Sequence, residues 1–195
     1  IISSEYLTLE RKQFSKSRNW AIWAKDYIKT FDSDFLRYYL IINGPETSDS
    51  DFSWDDFQKR INSELIGNFG NFINRTAHLI SKNFDSKVEI SSEDKYLEDT
   101  KLSFDKVGES IEKGDLRDAL KQVIKISEDG NKYLAKNEPW KLLKSDRKKA
   151  ENVLANCASA ITHIKTLIAP FLPKASNRIS EIFEIKTGGW TAEPQ

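Results

Sequence analysis

The stretch FQKRINSELIGNFGNFINRTAHLI, Phe57 to Ile80, decides how this chain folds. Phe57, Ile61, Leu65, Phe69, Phe72, Ile73, Thr76 and Ile80 recur along it at three- and four-residue spacing, so one stripe of a helix faces a core. Ser53, with Asp56 three residues on, resembles a capping box in which Asp stands in for the usual Glu, and the pattern runs to about Asn83. The spacing therefore predicts one long helix. Gly67 and Gly70 fall inside it, and each weakens a helix by about 1 kcal/mol relative to alanine, which marks them as points of close approach or bending.

Outward from this helix the same reasoning yields more helices. Before it, WAIWAKDYIKTF and SDFLRYYLII read as two short helices, the second opened by Asp32 or Ser33 and stopped by Asn43 to Pro45. After a polar connection from Asp85 to Asp94, Phe104, Val107 and Ile111 mark a helix ended by Gly114. Another starts at Asp115, with Leu116, Ala119, Leu120, Val123 and Ile124 expected to be buried, and reaches about Asn137. Glu138, Pro139 and Trp140 turn the chain. A further helix carries Ala150, Val153, Leu154, Cys157, Ala160, Ile161, Ile164 and Ile168 to Pro170, and Pro173 opens a last short one through Ile185. Only Tyr6 to Glu10 alternates as a half-buried strand should. The expected fold is mainly α: an antiparallel helical bundle behind a short strand and loop.

The 195 residues suffice for one domain with a sizeable core or a domain plus a fragment of a neighbour, and 38% hydrophobic content is that of a folded chain. Thirty basic side chains balance thirty acidic ones, so a uniformly cationic nucleic-acid surface is excluded and any RNA contact must be local. Cys157 is the only cysteine, cannot form an internal disulfide, and reads as a small buried hydrophobe in a reducing compartment. No apolar run approaches the roughly 18 residues that cross a bilayer, and no signal peptide opens the chain. The expectation is a cytoplasmic protein without a membrane partner. The chain lacks methionine and begins in the middle of a strand pattern, and it reads as a piece of something longer.

Two groups of residues could carry chemistry. Ser15, Lys16 and Ser17, flanked by Lys12 and Arg18, put cations and hydroxyls on a loop at a strand end, where they could clamp phosphates; the same residue types also make ordinary solvated turns. On the long helix, Asn71, Arg75, His78 and Lys82 lie at i, i+4, i+7 and i+11, on a polar face opposite the apolar stripe. By residue type this is equally a solvated face. Trp140 is either a filler at the bundle's end or a stacking platform, and Trp20, Trp23, Trp54 and Trp190 read as packing groups. Two histidines and one cysteine support no metal site.

FSKSR at 14–18 after a strand, followed by DFLRYYLI, SDFSWDDFQKRINSEL, GNFGNFINR, EPW and IAPFLPKAS, resembles the C-terminal part of the methionyl-tRNA synthetases, in their archaeal and eukaryotic style. The resemblance covers nearly the whole chain. It implies three parts: residues 1–19 as the end of a Rossmann catalytic domain with its KMSKS-like loop, 20–56 as a linking stem-contact module, and 57–195 as a helical anticodon-binding domain. Gln13, Phe14, Ser15, Lys16 and Ser17 match the ATP-binding signature, with Lys16 as its second lysine, the group that would stabilise phosphate charge. Gln13 replaces the signature's first lysine, for which Lys12 could compensate, and Asn19 replaces a common glycine.

The resemblance further implies that Asn71 and Arg75 hydrogen-bond base edges of a CAU anticodon and that Trp140 stacks on an anticodon base. Its parent would be a methionine–tRNA ligase using ATP with Mg2+, methionine and tRNA(Met). The rest of the active site would lie upstream, so this piece alone is expected to be inactive. The rivals are a noncatalytic tRNA-binding module built on the same helices, a purely structural bundle, and a synthetase for another amino acid.

Overall fold

The computed structural model describes residues 4–89 and 92–185. Strand β1 (Leu7–Leu9) pairs in parallel with β2 (Ser50–Phe52) in the register Leu7 to Ser50, Thr8 to Asp51 and Leu9 to Phe52. Between them run α1 (Ala24–Thr30) and α2 (Ser33–Ile42), as a parallel pair requires a long crossover. A helical rod follows without a break: α3 (Trp54–Arg60), a π-helical segment (Ile61–Gly70) and α4 (Asn71–Phe84). The rest is helical: α5 (Lys95–Lys113), α6 (Leu116–Asn137), α7 (Pro139–Ser145), α8 (Arg147–Ile168) and α9 (Pro173–Phe183).

The stripe read from the sequence is the buried one, since Phe57, Ile61, Leu65, Phe69, Phe72, Ile73, Thr76 and Ile80 all lie in the core. The predicted single α-helix is not what forms, because its middle ten residues take the wider π turn. The spacing holds the reason. Phe57, Ile61, Leu65, Phe69 and Ile73 are strict fours, and on an α-helix the last would have drifted about 160° from the first. Wider turns keep all five on one side. Gly67 accommodates them: it is exposed, yet a Cβ there would come within 2.9 Å of the Asn62 carbonyl oxygen.

The predicted capping box is absent. The Ser53 side chain caps nothing, and the Asp56 carboxylate instead accepts from Tyr39 Oη at 3.0 Å and Arg60 Nε at 2.8 Å. Burial works to raise the Asp56 pKa, but these two bonds overcome it and hold the carboxyl below its ordinary range. The first turn of α3 is served by another chain segment, with Trp54 N donating to Glu10 Oε1 at 2.8 Å. Leu116, expected in the core, is 41% exposed at the start of α6, and Ile126 is buried further along the same helix. Glu138, Pro139 and Trp140 do not simply turn: Glu138 takes a left-handed conformation and Pro139 opens the short helix α7. Gly114, at φ 85, ends α5 as read, with its N–H and that of Asp115 closing on Ile111 and Ser110 carbonyls.

Helix α8 is the core's axis, packed against α4, α5, α6, α7 and α9. Cys157 on it is fully buried, and burial pushes its thiol well up, away from the reactive thiolate. His163, also on α8, is buried with Nδ1 at 2.7 Å from Thr100 Oγ1 and its ring edge-on to Phe104. Of the tryptophans, Trp20 packs and donates Nε1–H to the Leu9 carbonyl, and Trp54, though 41% exposed, packs edge-on against Phe52 and Phe57, whereas Trp23 is 48% exposed; Trp190 lies outside the described residues. No helix among the described residues is long and apolar enough to cross a membrane.

The helices between the strands are clamped to the far end of the bundle. Arg37 donates to the carbonyls of Phe171 and Pro170 at 2.6 and 2.8 Å, and the buried Asp34 accepts from Ala175 N in the first turn of α9 at 2.8 Å. Burial raises the Asp34 pKa above its ordinary value, and Asp32 adds to this against the opposing N–H groups of Ala175 and Lys174 and the charge of Arg37. A raised carboxyl favours the folded state fully below its unfolded pKa and loses that contribution as pH climbs through the folded pKa. Asp34→Asn keeps an acceptor oxygen and cannot ionise. Its thermal midpoint should therefore gain on the parent chain between pH 3.5 and pH 7, and a pH-independent difference would contradict the assignment.

Candidate functional site

The loop after β1 begins with two consecutive left-handed residues, Glu10 at φ 49 and Arg11 at φ 61. They make a two-residue turn of the kind glycine and asparagine favour, closed by paired bonds between Leu9 and Lys12. Each such residue costs about 1–2 kcal/mol. Asp51 offsets part of this by accepting from Arg11 N at 2.7 Å and Thr8 Oγ1 at 2.6 Å. Glu10 contributes through its bond to Trp54 N.

Beyond Lys12 the chain closes again, with Ser15 and Trp20 exchanging backbone bonds of 2.9 and 2.8 Å. Lys16, Ser17, Arg18 and Asn19 form the tip. Asn19 stands at φ 51, the region that favours glycine and that asparagine tolerates best among other residues, so its replacement of glycine keeps the turn. Within the tip, Ser15 Oγ lies 3.3 Å from Ser17 Oγ and accepts from Arg18 Nε at 3.2 Å. Lys12 rests its ammonium 4.7 Å from the centre of the Trp20 ring. The Lys16 side chain is exposed and has no partner among the described residues. Gln13 and Phe14 are exposed beside it. One lysine is docked and the other is available.

The second group assembles from segments far apart in sequence. Asn71 and Arg75 sit one turn apart at the start of α4, directly after the π-helical segment. Trp140 is the second residue of α7, held at an angle set by left-handed Glu138 and by Pro139. The Arg75 guanidinium carbon lies 5.5 Å from the Trp140 ring centre. Trp140 is 36% exposed, Asn71 is exposed, and His78 and Lys82 continue the exposed face. Arg75 has no carboxylate partner, and the Asn71 side chain makes no hydrogen bond among the described residues. The face thus offers a part-exposed indole, a guanidinium over it without a carboxylate partner and, among the described residues, an amide without a bond. Such groups can stack on a planar ring and bond its edge.

Two supports behind this face were missed from sequence. Asn131 on α6 donates its side-chain amide to both the backbone and side-chain oxygens of Asn68, each at 3.0 Å. Next to it, Gly130 leaves room for the buried Phe72 ring. The glycine was visible in the sequence but falls in an otherwise regular helical pattern, and no local spacing links it to Phe72. An open groove between α5 and α6 is a weaker candidate: Lys125 and Lys132 on its wall are already paired with Asp129 and Glu128. Among the described residues no group of three or more His, Cys, Asp or Glu could hold a metal ion.

A family model described as the anticodon binding domain of methionyl tRNA ligase matches residues 86–195, and one described as class I tRNA synthetases (M) matches residues 1–77. A methionine–tRNA ligase of Streptococcus pneumoniae (strain CGSP14) is 42% identical over 195 residues, covering 97% of this chain and 35% of that protein. One from Methanopyrus kandleri is 42% identical over 180 residues, covering 92% of this chain and 27% of that protein. The chain spans between about a quarter and about a third of the length of these curated relatives. The crystal structure of Mycobacterium tuberculosis methionyl-tRNA synthetase bound by methionyl-adenylate shares the fold, with a TM-score of 0.78 over 89% of this chain and 36% of that one at 22% identity. The chain belongs to the class I methionyl-tRNA synthetase family and carries that family's anticodon binding domain.

Proposed function

We propose that this chain is the tRNA-reading, loop-bearing part of a methionine–tRNA ligase, which activates methionine with ATP and transfers it to tRNA(Met). In this reading residues 1–19 end the catalytic domain, 20–56 form the linking stem-contact module, and 57–195 are an antiparallel helical bundle that binds the CAU anticodon. The observation that carries it is the meeting of Arg75 with Trp140 beside Asn71, three exposed or part-exposed groups from two distant segments, with no carboxylate on Arg75 and no hydrogen bond on the Asn71 side chain among the described residues.

An unstacked anticodon base presents a π face and a Watson–Crick edge. Trp140 supplies a flat partner for the face, and Asn71 and Arg75 supply donors and an acceptor for the edge. A neutral protein can discriminate in this way because a few placed groups suffice. At the loop, Lys16 would place its ammonium against charge developing on the α-phosphate and departing pyrophosphate, with Ser15 and Ser17 donating hydroxyl bonds. The described residues offer no cluster for Mg2+.

Asn71→Ala, Arg75→Ala and Trp140→Ala should each weaken binding of an anticodon stem-loop bearing CAU by about 5- to 150-fold, the equivalent of about 1–3 kcal/mol for a stacked base. Fluorescence anisotropy with a second stem-loop of different anticodon should show far smaller losses. Equal losses on both RNAs would sink the assignment.

A further inference from the structure

We infer that the π-helical segment Ile61–Gly70 is a positioning element for the base-reading face, and that Asn131 is the positioning residue that locks it. The inference rests on the reading of Asn71, Arg75 and Trp140 proposed above. The segment ends immediately before Asn71, so its winding sets the direction in which Asn71 and Arg75 leave the rod. Each residue of register corresponds to about 100° of rotation. Were the segment to rewind as an ordinary α-helix with Phe57 and Ile61 held in the core, Arg75 could not stay over Trp140.

Wide turns are rare and need support from outside the helix. Here they are gripped at both ends. Toward the start, Tyr38 on α2 donates to Glu64 Oε2 at 2.5 Å while Arg60 holds Glu64 Oε1 at 3.3 Å. Toward the end, Asn131 donates to Asn68 O and Oδ1. The Asn68 carbonyl also accepts from Asn71 N, so the Asn131 amide reaches the reading face through a single shared oxygen. Gly67 removes the side chain that would oppose the winding.

Asn131→Asp has the same shape but no donor, and it turns lone pairs toward both oxygens of Asn68. The first measurement is free of RNA. In the parent chain the Arg75 side-chain protons should show the upfield ring-current shift of a group over an indole, and Asn131→Asp should diminish it. An unchanged Arg75 shift overturns the inference whatever the RNA does. The second measurement is binding of the CAU stem-loop, where Asn131→Asp should cost about tenfold and lower the preference for CAU over another anticodon. In a background lacking both reading side chains, Asn71→Ala with Arg75→Ala, the same change should cost less than about twofold, because a residue acting through those two is not additive with them. Full additivity would make Asn131 an independent contact and overturn the inference.

Asn131→Gln keeps the donor and should restore part of the shift and of the preference. If the Asp variant fails to fold, Asn68→Ala removes one of the two acceptors and should move both readouts in the same direction. An Arg75 shift that responds to Asn131 in a chain without preference for CAU would leave the positioning geometry standing and remove the reading on which its purpose rests.

Discussion

Lys16→Ala, made in the full-length parent enzyme, should lower the rate of ATP–pyrophosphate exchange by about 10²- to 10³-fold, the cost of removing one preorganised donor to transition-state charge. Under the proposed role the loss should fall on the maximal rate more than on apparent ATP affinity, because the ammonium would meet charge that appears during transfer. The structure supports Lys16 as the group to change. Among the described residues its side chain has no partner, whereas the Lys12 ammonium is docked on Trp20 and the neighbouring hydroxyls are tied to each other and to Arg18. Gln13 carries no charge, so under the proposed assignment of this loop the load would fall on Lys16. An unchanged exchange rate would leave the loop without a catalytic role and favour a noncatalytic tRNA-binding module built on the same helices.

Gly130→Ala should destabilise the chain by about 1–3 kcal/mol, the usual cost of overpacking a core. For a protein of this size that lowers the thermal midpoint by about 2–12 °C. In an open helix the same substitution would stabilise by about 1 kcal/mol, so even the sign is diagnostic. The new Cβ would stand 2.5 Å from two Phe72 ring atoms and 2.6 Å from the Tyr96 hydroxyl. Neither neighbour can swing aside: Phe72 is fully buried, and Tyr96 is stacked on Tyr133 and bonded to the Ile126 carbonyl. A midpoint equal to or above that of the parent chain would show that α6 and the rod have room to separate.

Most helices were legible because their signals are local. Asp32 caps α2, Gly114 takes the left-handed position after α5, and Pro173 opens α9, each by chemistry confined to one turn. Strand β2 was not legible, because Ser50–Phe52 is three residues long and owes its conformation to β1, more than forty residues away. The π-helical segment is present in the spacing as the unbroken fours from Phe57 to Ile73, but Phe72, Thr76 and Ile80 overlay the mixed threes and fours of an ordinary α-helix. Ser53 and Asp56 matched a local motif that longer-range partners, Glu10 and Tyr39, displaced. For the candidate site, residue types and a family resemblance named Asn71, Arg75 and Trp140. Nothing local could bring an arginine on one helix over an indole on another, and Asn131 carries no sequence mark that separates it from a surface asparagine.

The grip of Arg37 and Asp34 on the α8–α9 junction reaches 133 to 141 residues along the chain. Closing so large a loop adds little to the entropy already lost, since that term grows only with the logarithm of length. Its burden falls on the search instead, because contacts distant in sequence are slow to find. During synthesis α2 meets Asp56 and Glu64 early, but Phe171 and Ala175 leave the ribosome long after it, so closure of this clamp belongs among the last events of assembly.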